Sequence, residues 1–133
     1  MRSRAALLAA IAGCAALTLA APAEAASVVG SWKGTVKVAR GGSGTFPVKM
    51  TISRTRVGAR AGTLSNPGTP CHGSLRVSSR HDGGYSLRYK ELSGSPKCTG
   101  DDRIFIRRKG ARLSWRATSP DGRQVGTALL RRA

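Results

Sequence analysis

Cys71-His72-Gly73-Ser74-Leu75-Arg76-Val77-Ser78-Ser79-Arg80-His81-Asp82-Gly83-Gly84-Tyr85-Ser86-Leu87-Arg88-Tyr89-Lys90-Glu91 is the stretch that decides the fold. In its first arm Cys71, Gly73, Leu75 and Val77 share one face, with His72, Ser74, Arg76 and Ser78 opposite. After the Asp82-Gly83-Gly84 turn, Tyr85, Leu87, Tyr89 and Glu91 share a face and Ser86, Arg88 and Lys90 take the other. Apolar residues at every second position on both sides of an Asp-Gly turn are the pattern of a β-hairpin with one buried face.

The same period continues in both directions. Upstream, Trp32, Gly34, Val36 and Val38 oppose Lys33, Thr35 and Lys37, and Phe46, Val48, Met50 and Ile52 alternate with Pro47, Lys49, Thr51 and Ser53. A weaker run, Val57 to Leu64, carries Gly58 and Gly62 and reads as an edge or bulged strand. Downstream, Arg103 to Arg108 turns at Lys109-Gly110 into Leu113-Ser114-Trp115-Arg116-Ala117, and Gln124 to Arg131 follows the turn Ser119-Pro120-Asp121-Gly122. Beyond residue 26 no run of ten residues has a helical apolar period, and Gly or Pro recurs too often for a long helix. The expected fold is all-β: an antiparallel up-and-down (meander) barrel of about eight strands, or a closely related sandwich.

Residues 1–26 read as a secretory signal peptide, with Arg2 and Arg4, an apolar run from Ala5 to Ala21, and Pro22-Ala23-Glu24-Ala25 before the cut. The run is broken by Gly13 and Thr18 and falls short of the roughly 20 apolar residues of a spanning helix. A secreted protein with one domain over 27–133 is expected. Ile11-Ala12-Gly13-Cys14 also resembles a lipobox, which would leave a lipid-anchored protein acylated at Cys14. With the leader removed, Cys71 and Cys98 remain and are expected to form a disulfide in an oxidising compartment. His72 and His81 do not supply the C-x-x-C or H-x-x-x-H spacing of a metal site, and no cofactor is indicated.

The chain has 23 Lys and Arg against 6 Asp and Glu, a net charge of +17. Taking away Arg2, Arg4 and Glu24 leaves 21 against 5, or +16. Such a field favours anions. Arg76, Arg80, Arg88, Arg103, Arg107, Arg112 and Arg116 alternate with the apolar set. They are either solvated outer faces or, if adjacent in the sheet, a wall for a cell-surface polyanion or nucleic acid.

Catalysis finds little support. Asp82 and Asp121 sit in Asp-Gly turns, and Asp101-Asp102 read as loop carboxylates neutralising nearby Arg. Cys71 and His72 are neighbours on a strand and point to opposite faces, so they cannot act as nucleophile and base together. Glu91 is the most informative residue. On an inward face it needs a partner, either an Arg from a neighbouring strand or a cationic or hydroxylated ligand at the barrel mouth. The residues expected to line that mouth and the interior are Trp32, Tyr85, Tyr89, Glu91 and Trp115. A non-enzymatic binding module for a small ligand or protein partner is therefore the leading expectation, with polyanion binding as its alternative.

Gly30-Ser31-Trp32 resembles the Gly-x-Trp opening of the lipocalin, fatty-acid-binding and avidin barrels. That resemblance implies that an Arg from the last strand, Arg131 or Arg132, packs over Trp32. A wider pattern, Trp32, Gly34, Cys71, Gly73, Leu75, Tyr85, Leu87, Glu91, Cys98, Leu113, Trp115, Leu130 and Arg131, resembles small secreted domains of actinobacteria. Some of these form the extracellular part of membrane Ser/Thr kinases, which implies a binding or sensing module without the kinase. The chain is also similar to small periplasmic metalloprotease inhibitors, one-disulfide barrels with a Gly-x-Trp start, although its cysteine spacing differs. An inhibitor would need an exposed mature N-terminus.

Overall fold

The computed structural model describes residues 27–98 and 100–133, so the expected signal peptide over 1–26, with Cys14, lies outside the described residues. Its strands are β1 Gly30–Arg40, β2 Thr45–Ile52, β3 Arg60–Ser65, β4 His72–His81, β5 Gly84–Glu91, β6 Arg103–Lys109, β7 Arg112–Thr118 and β8 Val125–Arg132. Each pairs antiparallel with the next, and β8 returns to β1, giving a closed barrel in sequence order. Closure gives every strand a neighbour on both sides and leaves none at an edge.

The alternation read from the sequence is the pleat of this barrel. Trp32, Met50, Leu75, Leu87, Ile104, Leu113 and Leu130 point inward and are almost wholly buried, while the cations between them face solvent. No charged residue belongs to the buried core among the described residues.

The third strand departs from expectation. It begins at Arg60, not Val57, because Val57 and Gly58 lie in a turn and Val57 is exposed. Of the two readings, edge or bulged, β3 is the bulged one: β2 and β4 flank it, and its register shifts between Arg60 and Gly62. Gly62 is needed there: a Cβ would lie 1.8 Å from the Thr51 carbonyl oxygen of β2.

The up-and-down order gives the barrel two distinct ends. At the first, where β1, β3, β5 and β7 begin, the Trp32 indole N–H donates to the Val28 carbonyl at 2.8 Å. The Arg132 and Arg108 guanidinium carbons lie 4.1 and 5.1 Å from the centre of the Trp32 ring. Arg132 donates to the Val29 carbonyl at 2.7 Å and Arg108 to that of Ser27 at 3.0 Å, binding residues 27–29 across this end. Of the two arginines considered for this place it is Arg132 that stacks; Arg131 pairs with Lys33 and is exposed. At the second end, where β5 finishes, the interior is open.

Candidate ligand pocket at the open end of the barrel

The pleat sets Tyr89 and Glu91 on the inward face of β5, two residues apart, at the point where the strand leaves the barrel. The Tyr89 hydroxyl donates to Glu91 Oε2. Glu91 Oε1 accepts the backbone N–H groups of His72 and Ser93 at 3.2 and 3.1 Å. Burial pushes the Glu91 carboxyl up, but these hydrogen bonds outweigh it and bring it down to about 2. Burial first, then the Glu91 carboxylate, raises the Tyr89 phenol above its ordinary range. An ion pair between Glu91 and a neighbouring Arg, one of its two expected partnerships, is not what holds it: the hydrogen bonds do.

A second carboxyl stands near. Asp102, just before β6, is half-buried, and its carbonyl accepts the Tyr89 N–H at 2.9 Å. Burial first, then the charges of Asp101 and Glu91, raise its carboxyl to about 6. For Asp102 this corrects the expectation of a loop carboxylate neutralising nearby Arg, since burial and neighbouring acids dominate its surroundings.

The connection from β5 to β6 is fastened by the Cys71–Cys98 disulfide, whose Cα atoms are 5.3 Å apart. Both cysteines, with Tyr89, Glu91, Asp102 and Trp115, line a cavity of about 370 Å³ opening at this end. Its size falls near the lower end of small-molecule sites, roughly 300–1,000 Å³. Phe46, Val48 and Leu64 supply apolar wall, and Lys97 is its one cation among the described residues. Two buried polar atoms of the lining, the Trp115 indole nitrogen and Asn66 Oδ1, have no hydrogen-bond partner.

Of the five residues expected at the mouth and interior, the barrel brings Tyr89, Glu91 and Trp115 together. Trp32 and Tyr85 belong to the other end: Trp32 sits under the 27–29 strap, and Tyr85, opposite Ile106 at the start of β5, packs against the core. The pleat gave all five the same face but not the same height. Asn66 and Asp102 carry no pattern in the sequence that marks them, since both sit in connections; the Asp-Asp pair in a chain so poor in acids was the only signal.

Compared with family models, curated proteins and solved structures, the chain finds no match. Among the described residues no group of three His, Cys, Asp or Glu side chains is placed to hold a metal ion. No helix is long and apolar enough to cross a membrane among those residues.

Arg76, Arg88, Arg103, Arg107, Arg112 and Arg116 lie exposed on the outer face of β4 to β7; Arg80 is exposed too, but the register shift in β4 sets it opposite Tyr85, on the other face of the sheet at the strapped end. Arg60 stands directly opposite Arg76, Arg76 opposite Arg88, and Arg88 opposite Arg103, one row across four consecutive strands. Arg80 and Arg107 flank the β4–β5 turn, where Arg107 donates to the Asp82 carbonyl at 2.8 Å. Arg116 lies opposite Phe105, and Arg112 opposite Lys109.

Proposed function

We propose that this chain is a secreted, non-enzymatic binding module that takes a small ligand into the open end of its barrel. The observation that carries the reading is the pair of orphaned buried atoms on two residues of the cavity wall, the Trp115 indole N–H and the Asn66 side-chain amide oxygen. A buried polar group left unpaired costs about 1–3 kcal/mol. A ligand presenting an acceptor to the indole and a donor to the amide recovers that cost on binding. No nucleophile paired with a base supports a catalytic role at this site. An inhibitory arm is disfavoured by the strap, in which Arg108 and Arg132 hold Ser27 and Val29 against the barrel.

Native mass spectrometry of the protein recovered from its producing culture is expected to show a discrete small-molecule adduct that survives high salt. Trp115→Phe keeps the ring stacked in the wall and removes the donor. The free protein should change by no more than about 1 kcal/mol, because lost ring area is offset by relief of the unpaired N–H, while retention of the adduct falls about tenfold. Undiminished adduct in that variant would overturn the role given to the indole.

A second reading rests on the Arg60–Arg76–Arg88–Arg103 row. Like charges directly opposite each other in a sheet are destabilising, so four in line are relieved when an anion lies over them. With strands about 4.8 Å apart the row spans roughly 14 Å, a length suited to a linear polyanion crossing the strands. Binding of a thymidine 20-mer should weaken with salt at a log–log slope of about −3, from about −0.7 per neutralised phosphate. Arg76→Ser with Arg88→Ser should flatten the slope by about 1.4, and an unchanged slope would remove this face from consideration.

A further inference from the structure

We propose that the open-end cavity, read above as a ligand site, is selective for a small organic cation: an amine-bearing molecule whose ammonium group is held by Glu91 and Asp102 and whose hydroxyl or carbonyl group meets Trp115. The inference rests on the pocket reading and adds the charge of the ligand. In a chain whose residues beyond 26 hold 21 cations and 5 acids, three of those acids, Glu91, Asp101 and Asp102, gather at one mouth. Asp101 and Glu91 stand close enough to Asp102 to disfavour its charge, which is costly. An ammonium in this cavity meets the Glu91 carboxylate, held by the Tyr89 hydroxyl and two backbone N–H groups, and the Asp102 carboxyl, carried by the β5–β6 connection that the disulfide anchors.

Independent of the carboxylates, the wall itself calls for a polar ligand with both kinds of hydrogen-bonding group. Trp115 is 3% exposed, yet its N–H is unpartnered, and Asn66 Oδ1 is likewise unpaired. Phe46, Tyr89 and Trp115 add aromatic rings, whose faces attract a desolvated cation. The absence of a metal-holding group of side chains among the described residues directs the choice to an organic cation.

Charge at the site depends on pH. The charges that act on Asp102 are Asp101 beside it and Glu91 on β5; Lys97 on its own connection and Tyr89 on β5 line the same cavity, and Arg103 follows it at the start of β6. From β4 comes His72, whose ring bonds the Pro70 carbonyl and is exposed; the β7–β8 side contributes only uncharged Ser119 and Gln124. Asp102, raised to about 6, is anionic above that pH and neutral below it, whereas Glu91, at about 2, stays charged throughout. Affinity for an ammonium should therefore rise as pH passes upward through about 6.

Three probes on one scaffold test this: tyramine, with an ammonium and a hydroxyl; tyrosol, with a hydroxyl in place of the ammonium; and 4-hydroxyphenylacetate, with a carboxylate. By titration calorimetry at pH 7.5, tyramine is expected to bind about tenfold more tightly than tyrosol, with the carboxylate weakest. Moving to pH 5 should weaken tyramine severalfold and leave tyrosol unchanged. Asp102→Asn should bind tyramine at both pH values as the parent does at pH 5, and His72→Gln should keep the parent's pH profile. Equal binding of tyramine and tyrosol would overturn the cation assignment and leave the pocket standing. A pH profile lost in His72→Gln and kept in Asp102→Asn would overturn the role of Asp102. If none of the three binds, the inference fails, and the pocket itself is judged by the adduct measurement above.

Discussion

Cys71→Ser, or Cys98→Ser, is expected to cost about 3–4 kcal/mol of folding stability, the closure entropy of the cross-link over the 27 residues that separate the two cysteines. For a domain of this size each kcal/mol moves Tm by about 4–8 °C, so the melting point should fall by roughly 12–32 °C. Urea titration of the parent with and without reductant checks the figure without a substitution, and both routes should agree. The effect is not confined to stability. The bond ties the start of β4 to the connection that carries Lys97, Asp101 and Asp102, and its two sulfurs belong to the cavity wall. Once it is cut, Asp102 should lose part of the burial that raises it and titrate closer to an ordinary aspartate. A loss below about 1 kcal/mol, with the Asp102 titration unmoved, would mean that other contacts hold the connection.

The barrel was legible because its sequence is a repeated period of two. The Asp82-Gly83-Gly84 hairpin and the Trp32 to Val38 run announce inward and outward faces without ambiguity, and a closed up-and-down order is the simplest way to bury eight such faces. The site was legible only in part. Parity assigns a side, and it placed Tyr85, Tyr89 and Glu91 on one face, but height along the axis follows from strand direction. Tyr85 opens β5 and Glu91 closes it, so at about 3.3 Å per residue they stand roughly 20 Å apart, one at each end of the barrel. Odd-numbered strands all run from the strapped end to the open one, which also places Trp32, near the start of β1, away from the pocket. Asn66 and Asp102 escaped because connections have no period. What matters about them, an unpaired carbonyl oxygen and a carboxyl among other acids, is a property of neighbours distant in sequence.

Trp32→Ala should be the most damaging single substitution in the strapped end, at about 3–5 kcal/mol, the usual cost of deleting a buried large aromatic. That is most of the margin of a domain whose total stability is expected within about 5–15 kcal/mol. Trp32 is fully buried, and the indole does three things at once: it fills the base of the barrel, its N–H satisfies the Val28 carbonyl, and its ring seats Arg132 and Arg108. The same two arginines hold Ser27 and Val29, so removing the ring also loosens the strap. Trp32→Phe isolates the hydrogen bond: it leaves the Val28 carbonyl unpaired and should cost about 1–3 kcal/mol, with faster amide exchange through residues 28–31. The equivalent change at Trp115 should be nearly neutral, because its N–H has no partner to lose. Two tryptophans on the same inward face of one barrel thus predict different costs for the same substitution, because one indole N–H has a partner to lose and the other has none. The two ends also predict independence: Trp32→Phe should leave the titration of Asp102 at about 6. A shift there would mean that the strap and the pocket share one cooperative unit, and binding at the open end would then have to be measured together with the order of the other.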